Sequence, residues 1–338
     1  MKFCVYGAGA IGGLLAVELA VAGHEVCVIA RGEHLRAIRA QGLKLLIDGR
    51  EKVVKVAASD DPREFGPQDF VLCALKAHQA YESARSFAPL LGASTAVLTA
   101  MNGVPWWYFY RAGGRLEGHR VRSVDFDGRQ WDAIGPQRAI GCVVEPACEV
   151  VAPGLVEHYA FKRFTIGEPD GVRSDRVTKL SAALIEAGFE APVRDNIRWN
   201  IWLKLWGNVC FNPISALTGA TLARITGEPA LLGLCRTMMH ETKAVNEALG
   251  VSIPAEMVER RLASVGSIGA HKMSMLQDME RGRSLEIDAL VTAVQELGRL
   301  AQVPTPTIDA VLALVQERGR TAGLYAGAEL SRERAASL

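Results

Sequence analysis

The sequence lacks a surplus of charge of either sign. Its 338 residues include 38 lysines and arginines and 37 aspartates and glutamates, so the formal net charge is +1. Proteins that bind nucleic acid or an anionic membrane surface usually carry a strong positive balance. The composition therefore predicts neither partner. It favours a globular chain that is long enough for two domains with sizeable cores.

The sequence also lacks the spacings of a metal site and any internal repeat. Its seven cysteines are an odd number and lie mostly within apolar runs, which is typical of reduced thiols in the cytoplasm. The segment HETKA at His240 has no second histidine to complete a zinc-binding helix. We therefore expect a cytoplasmic protein without a metal ion. The lack of repeats and coiled coils disfavours a polymerising structural protein.

No apolar run of membrane-spanning length is free of interruption. The first residues, MKFCVYGAGAIGGLLAVELAVAGHEV, are mostly apolar, but Glu18 and the glycines at 7, 9, 12 and 13 interrupt them. A signal peptide or a spanning helix needs apolar helix formers without charge. The segment instead predicts a strand at 2–6, a glycine turn, a helix at about 10–22 and a second strand at 25–30.

The glycine turn matches the G-x-G-x-x-G pattern of dinucleotide-binding βαβ units. Gly7 allows the tight turn, Gly9 lets the backbone approach a pyrophosphate, and Gly12 allows the helix to pack on the strand. The N–H groups at the start of the helix, at Ala10 and Ile11, favour the bound anion. The alternative is a glycine-rich turn that binds no ligand.

The end of the second strand bears on the choice of dinucleotide. NAD-binding units carry an Asp or Glu there, which bonds the ribose 2′-hydroxyl. Here Ala30 and Arg31 follow the strand, and a guanidinium suits a 2′-phosphate, so we expect NADP. Two alternatives stay open: Arg31 is a solvated residue at the start of the next helix, or Glu33 reaches the ribose.

Two later strands are predicted to end near the same ligand. DFVLCALK ends at Lys76 and STAVLTAMNG ends at Asn102, and their continuous apolar residues favour a parallel sheet covered on both faces. Ligands of such sheets bind outside the carboxyl ends of the strands. Lys76 and Asn102 are therefore candidate cofactor residues. The alternatives are a solvated lysine at the sheet edge and a plain Asn-Gly turn.

Other features of the first half are predicted to be structural. Asp48-Gly49 between two alternating runs predicts a hairpin. The aromatic segment 106–110 is predicted to form a short helix near the site, and the polar stretch 125–129 a surface loop or hairpin. Strands are expected to return over 138–168, where His158 lies in an alternating pattern that favours a structural role.

The hydrophobic period becomes helical from about residue 196 to about residue 320, which predicts an all-helical second domain. Lys204, Asn208 and Asn212 are spaced i, i+4 and i+8 and share one side of an apolar helix. Burying a cation and two amides is costly without polar partners, so we expect a ligand there. The alternative is a snorkelling lysine with mutually satisfied amides. Pro213 is expected to kink or end this helix.

The segment SMLQDMERGRSLEIDAL is predicted to span two helices, with a break at Gly282 and an N-cap at Ser284. Ser274 and Glu286 would then lie on separate helices and converge. Glu286 is expected in a first helical turn, where the helix dipole stabilises a carboxylate. A capping role is therefore the alternative to a role in the site.

Five segments together resemble the 2-dehydropantoate 2-reductase (ketopantoate reductase) family, in family order and over essentially the whole chain: YGAGAIGG, LKAHQA, MNGV, KLWGNVCFNPISALTG and SMLQDMERGRSLEIDAL. The resemblance implies NADPH-dependent reduction of ketopantoate to pantoate, in pantothenate and coenzyme A synthesis. It also implies an α/β Rossmann-type N-terminal domain and an all-α C-terminal domain like that of 6-phosphogluconate dehydrogenase. We place these domains at 1–190 and 191–325, with a tail at 326–338.

The resemblance also assigns roles to single positions. It makes Lys204 the general acid and Glu286 the residue that bonds or orients the substrate hydroxyl. The implied substrate-binding residues are Asn208, Asn212, Ser274 and Asn102. The implied cofactor-binding residues are Gly7, Gly9, Ala10, Ile11, Gly12, Arg31, Lys76 and Asn102.

Two departures from the family pattern bear on the substrate. Leu222 stands where family members carry a further substrate asparagine, and the 105–140 segment is longer and more aromatic. A reductase of another, bulkier 2-oxo acid is therefore an alternative, and a non-catalytic NADP-binding sensor is another. The expected partner is a small 2-oxo acid. Apolar helix faces such as the one over 229–250 favour a homodimer.

Overall fold

The computed structural model describes residues 1–266 and 269–327. These residues form two compact units. The first contains Met1–Arg120 and Gly128–Ile197, and the second contains Val121–Asp127 and the chain from Arg198 onward. From residue 328, the tail expected at 326–338 lies outside the described residues.

The first unit contains all the strands of the described residues, and these strands form two sheets. In chain order the strands are β1 (Lys2–Tyr6), β2 (Glu25–Ile29), β3 (Leu43–Ile47), β4 (Arg50–Val54), β5 (Ala57–Ser59), β6 (Gln68–Cys73), β7 (Leu91–Thr99), β8 (Ala139–Val144), β9 (Ala147–Ala152), β10 (Leu155–Ala160) and β11 (Phe164–Gly167). The larger sheet has the order β11-β8-β7-β6-β1-β2-β5. Its strands pair in parallel except β11, which is antiparallel to β8. This is the doubly wound order of a Rossmann-type sheet, as predicted.

The second sheet has the order β4-β3-β10-β9. Its β3–β4 hairpin has Ile47 opposite Arg50, which leaves the two-residue turn Asp48-Gly49. Both turn residues have positive φ, 50° and 71°, the signature of the type I′ turn that matches strand twist. The predicted hairpin is confirmed.

The helices of the first unit are α1 (Ala10–Val21), α2 (Gly32–Gln41), α3 (Ala77–Ser83), α4 (Arg129–Ala133) and α5 (Asp175–Glu186). Helix α1 contacts strands of both sheets. Leu14, Leu15 and Leu19 are therefore all fully buried, and apart from Glu18 the helix is apolar on every side. Because α1 is buried on both sides, the N-terminal segment is as apolar as a membrane-spanning helix, although α1 is shorter than such a helix.

Two predicted features of the first unit are wrong in detail. Strands β6 and β7 end at Cys73 and Thr99, so Lys76 and Asn102 lie in the loops that follow. The aromatic segment forms consecutive turns rather than a helix. Trp107 is fully buried, and its indole Nε1 donates a hydrogen bond to Thr99 Oγ1 at 3.1 Å. The packing of the aromatic rings in the core determines the backbone conformation of this segment.

The polar stretch at 125–129 is also not a surface loop. Asp125 is fully buried, and residues 121–127 belong to the second unit. The carboxylate of Glu296 accepts the backbone N–H groups of Arg122 and Ser123, each at 2.7 Å. This pair of charge-assisted hydrogen bonds ties the segment to the helical unit.

The second unit is helical, as predicted. Its helices are α6 (Ile197–Thr218), α7 (Leu222–Gly227), α8 (Pro229–Ala248), α9 (Glu256–Gly266), α10 (Ser274–Glu280), α11 (Ala293–Ala301) and α12 (Pro306–Thr321). Helix α6 continues through Pro213, so the helix does not end at that proline, and the expected kink stays a prediction. Within the described ranges, no helix has the length and apolar character needed to cross a bilayer.

The predicted start of the helix after Gly282 is wrong by two residues. The helix begins at Ile287 and includes a π-helical turn, Asp288–Thr292, before α11. Ser284 is therefore not its N-cap, and Glu286 immediately precedes the first turn instead of lying within it. The extended stretch before Ile287 is held by Leu285, whose N–H donates to the carbonyl of Leu324 at 3.0 Å.

One buried charge in the first unit gives a test of the fold. Glu18 on α1 has a side chain that is 7% exposed, and it accepts a hydrogen bond from Lys52 Nζ on β4 at 2.6 Å. We expect Lys52→Met to lower the free energy of unfolding by about 1–2 kcal/mol, because it leaves a buried carboxylate without its cation. Lys55→Met, at an exposed position in the same segment, is the control. Urea denaturation measures both, and equal effects would contradict the role of the pair.

Candidate active site

The phosphate loop between β1 and α1 is built on two glycines that the protein itself requires. Gly7 has φ +97°, and a Cβ atom there would lie 2.7 Å from Leu75 Cδ2. A Cβ atom at Gly12 would lie 1.9 Å from the carbonyl oxygen of Gly7, so any side chain would force α1 away from the loop. These two positions are glycine for reasons of packing.

Gly9 is different, because the surrounding protein leaves its side-chain position open. A Cβ atom there would have no heavy atom of the described chain within 4 Å. Its carbonyl accepts the N–H of Gly13 at 2.6 Å and so begins α1. The N–H groups of Ala10 and Ile11 lie in the first turn, which has no preceding carbonyls to bind. Open space beside these donors suits a pyrophosphate, so the loop fits the expected dinucleotide.

Arg31 lies beyond the carboxyl end of β2, where the 2′-substituent of the adenosine ribose is bound in this fold. It is exposed and is the N-cap residue of α2, with extended backbone at φ −137°. The position therefore presents a fixed cation, and the residues fit a 2′-phosphate.

Lys76 and Asn102 lie in loops after adjacent parallel strands, β6 and β7. Lys76 is half-buried at the N-cap of α3. Asn102 Oδ1 is shielded from solvent and has no hydrogen-bond partner among the residues described. A buried acceptor without a donor is costly, so this amide oxygen indicates a ligand that supplies one.

His78 is a residue near this edge that the sequence reasoning missed. Burial, together with the nearby charge of Lys76, lowers its pKa to about 4. The ring is therefore neutral at physiological pH. In the sequence, its position in LKAHQA, two residues after Lys76, indicates that it lies near the same edge.

Helix α6 carries the polar triple on an otherwise apolar helix. Lys204 is half-buried, while Asn208 and Asn212 are 8% and 1% exposed. Their neighbours Trp202 and Trp206 are fully buried. The Asn208 side chain makes no hydrogen bond to another described residue. One helix therefore holds a primary amine and an unengaged amide in an environment of low polarity.

Asn212 and Ser274, two of the candidate substrate-binding residues, are in direct contact. Ser274 Oγ donates to Asn212 Oδ1 at 3.1 Å, and the N–H of Met275 donates to the same oxygen at 3.2 Å. Asn212 thus fixes the start of α10 against α6. Its amide oxygen is engaged in these two bonds, which leaves the Nδ2 donors as the groups that suit a ligand oxygen.

Glu286 is placed by the backbone on both sides of it. The Leu285–Leu324 hydrogen bond lies before it, and the π-helical turn lies after it. Asp288 in that turn accepts hydrogen bonds from Tyr325 Oη at 2.7 Å and Thr292 Oγ1 at 2.8 Å. π-helical turns occur often at functional sites.

Over 1–266 and 269–327, no cluster of three or more His, Cys, Asp and Glu side chains could hold a metal ion. Lysine, asparagine, serine and glutamate are suited instead to proton transfer and to binding an oxygen-rich ligand.

The phosphate loop gives a matched pair of substitutions. We expect Gly9→Ala to preserve the melting temperature and to weaken NADP binding at least tenfold, because its methyl group fills space that only a ligand would use. Gly12→Ala is expected to lower the melting temperature sharply, since its methyl group overlaps the Gly7 carbonyl. Thermal unfolding and calorimetric titration separate the two effects. A Gly9→Ala variant with unchanged affinity would contradict the site.

Comparisons with known proteins agree with the resemblance. The models of the ketopantoate reductase PanE/ApbA family match residues 3–171 for the main domain and 196–319 for the C-terminal domain. A 2-dehydropantoate 2-reductase of Mesorhizobium japonicum is 56% identical over 310 residues, which are 91% of this chain and 95% of the relative.

Solved structures give the same result. A Ralstonia solanacearum protein provisionally described as a ketopantoate reductase superposes with a TM-score of 0.92 at 43% identity, covering 96% of this chain and 99% of that one. A PanE/ApbA family ketopantoate reductase of Ralstonia eutropha has a TM-score of 0.82 at 29% identity, covering 96% and 100%. The chain therefore belongs to the ketopantoate reductase family.

Proposed function

We propose that this chain reduces 2-dehydropantoate to pantoate with NADPH, on the route to pantothenate and coenzyme A. The observation that carries the proposal is the 56% identity, over 91% of the chain, to a relative of that name. The open phosphate loop and the lysine of α6 supply the chemistry that this reaction needs. We assign cofactor binding to residues 1–190 and substrate binding to residues 191–325.

The proposed cofactor residues form the phosphate loop and its neighbours. Gly7, Gly9, Ala10, Ile11 and Gly12 hold the pyrophosphate, and Arg31 pairs with the 2′-phosphate. Lys76 and Asn102 complete the cofactor set and also serve the substrate. When bound, NADPH supplies the hydride.

Lys204 is the proposed proton donor. As a hydride is added to the carbonyl carbon of a 2-oxo acid, negative charge develops on the carbonyl oxygen. The Lys204 ammonium stabilises that charge and transfers one proton to the oxygen, which yields the alcohol and a neutral amine. The amine then regains a proton from solvent. An apolar helix strengthens the interaction, because little water competes for the oxyanion.

The remaining polar residues orient the substrate. Asn208 and Asn212 provide N–H donors for its oxygens. Ser274 Oγ donates a hydrogen bond to Asn212 Oδ1, and Ser274 is a further substrate-binding residue. Glu286 bonds the substrate hydroxyl or orients it. Such fixed donors hold the ketone in a reactive geometry.

We also propose a cytoplasmic homodimer. Free thiols at all seven cysteines suit a reducing compartment. Leu231, Leu232 and Leu234 of α8 are only half-buried, and this apolar surface supports self-association.

Initial rates of NADPH oxidation with ketopantoate, beside NADH and bulkier 2-oxo acids, test the function. Fast turnover of ketopantoate with preference for NADPH is expected. Burial of Trp107 in the first unit's core argues against the aromatic segment as a site for a bulkier substrate. Faster turnover of a bulkier acid would overturn ketopantoate as the substrate, and NADPH binding without turnover of any acid would favour a sensor.

The role of Lys204 has its own test. We expect Lys204→Ala to lower kcat by about 10²–10⁴-fold while NADPH affinity stays unchanged, since the amine acts on the substrate oxygen. Lys272→Ala is the control, because Lys272 is exposed and pairs with Glu280. Stopped-flow turnover and a fluorescence titration give the two quantities. An unchanged kcat would remove Lys204 from the mechanism.

Cofactor preference depends on Arg31 in this proposal. Arg31→Ala is expected to raise the KM for NADPH by about 10–100-fold, the cost of losing a charged hydrogen bond, and to leave the KM for NADH nearly constant. Arg36→Ala serves as the control, since Arg36 is an exposed arginine of the same helix paired with Glu33. Equal changes with both cofactors would show that Arg31 does not contact the 2′-phosphate.

A further inference from the structure

His34 makes two hydrogen bonds that connect the phosphate loop to a distant turn. Its Nε2 lies 2.7 Å from the carbonyl oxygen of Ala8, inside the loop. Its Nδ1 lies 3.0 Å from the backbone nitrogen of Gly154, in the turn between β9 and β10. The three groups are far apart in sequence and belong to three different elements of the first unit.

The two partners fix the state of the ring. The N–H of Gly154 can only donate, so Nδ1 accepts, and the Ala8 carbonyl can only accept, so Nε2 carries the proton. His34 is therefore a neutral imidazole in one tautomer. A protonated ring would carry hydrogen on both nitrogens and would oppose the Gly154 N–H.

The hydrogen bond from His34 is one of several that hold the phosphate loop. The N–H groups of Gly7 and Ala8 donate to the carbonyl of Ile29, at 3.0 and 3.2 Å. The carbonyl of Ala8 faces His34 on the other side. The peptide between Ala8 and Gly9 is thus held in orientation just before the first N–H groups of α1.

The same helix carries the proposed 2′-phosphate residue. His34 follows Arg31 by three positions at the start of α2. The turn at Gly154 packs tightly on this helix, because a Cβ atom at Gly154 would lie 3.0 Å from Ala37 Cβ. The imidazole therefore joins the pyrophosphate loop, the helix of Arg31 and the second sheet.

We infer that His34 is a positioning residue for the cofactor: as a neutral imidazole it fixes the phosphate loop in the orientation that binds the phosphates of NADPH. This inference rests on the proposed cofactor. His34 does not contact the cofactor in this proposal. It acts on cofactor binding through the Ala8 carbonyl.

The charges around His34 determine how its effect depends on pH. Burial lowers its pKa from 6.5, and the hydrogen bond with the Ala8 carbonyl opposes that shift. Arg31 is the N-cap of helix α2, which carries the charged residues Glu33, Arg36 and Arg39. Strand β3 carries Lys44, whose N–H donates to the Gly154 carbonyl. The loop and the turn add no charged side chain. NADP affinity is therefore expected to be full above pH 6.5 and to fall as acidification protonates the ring.

The test is calorimetric titration of NADP⁺ into the full chain from pH 8 to pH 5, beside two variants. His34→Gln keeps one donor and one acceptor but does not titrate. We expect it to bind within about threefold of the unmodified chain at pH 8 and to lack the additional loss of affinity in acid. His34→Leu is expected to bind about tenfold more weakly at every pH, the loss of roughly one hydrogen bond.

Titration of the cofactor's own 2′-phosphate affects all three proteins equally. The difference in pH dependence between the unmodified chain and His34→Gln therefore reports the protonation of the His34 ring alone. His158→Gln is the matched control, since His158 binds a backbone carbonyl, that of Phe161, elsewhere in the same unit. Melting temperatures at each pH exclude unfolding as the cause.

Identical pH profiles for the unmodified chain and His34→Gln, or full affinity in His34→Leu, would overturn this inference while leaving the proposed function intact. If the unmodified chain fails to bind NADP⁺ at any pH, the proposed function fails, and the inference fails with it.

Discussion

The close approach of Gly12 to the carbonyl oxygen of Gly7 is the constraint on which the first unit depends. With no side chain at Gly12, α1 lies directly on the loop that leaves β1, where a Cβ atom would be 1.9 Å from that oxygen. This contact places α1 between the two sheets, which bury the helix on all sides. It also directs the first N–H groups of α1 toward the open space beside Gly9. The same contact therefore serves the core and the phosphate site.

The sequence was most informative where a single residue type is required by geometry. Gly7, Gly12 and the pair Asp48-Gly49 predicted their turns correctly, because positive φ or a close approach admits few other residues. The helical pattern around Lys204 also predicted its helix. At these positions the backbone conformation is determined by the residues nearby in the sequence.

Other features depended on distant contacts that no local pattern contains. The aromatic segment lost its predicted helix because Trp107 packs into the core and bonds Thr99. The polar stretch near Asp125 is buried because Glu296, far along the chain, binds the adjacent backbone. Pro213 stays within α6, although a proline removes a helical hydrogen bond. Asn212 and Ser274 were predicted to share a site, but their direct bond was visible only in the structure.

In the proposed reaction a hydride passes directly from the cofactor to the carbonyl carbon of a 2-oxo acid. Turnover of ketopantoate with NADPH deuterated at both C4 positions, followed by mass spectrometry and NMR of the product, tests this step. We expect one deuterium in each pantoate molecule, bonded to C2, and no hydrogen acquired from solvent at that carbon. Pantoate without deuterium at C2, or with hydrogen exchanged from water there, would contradict direct transfer and with it the mechanism assigned to this chain.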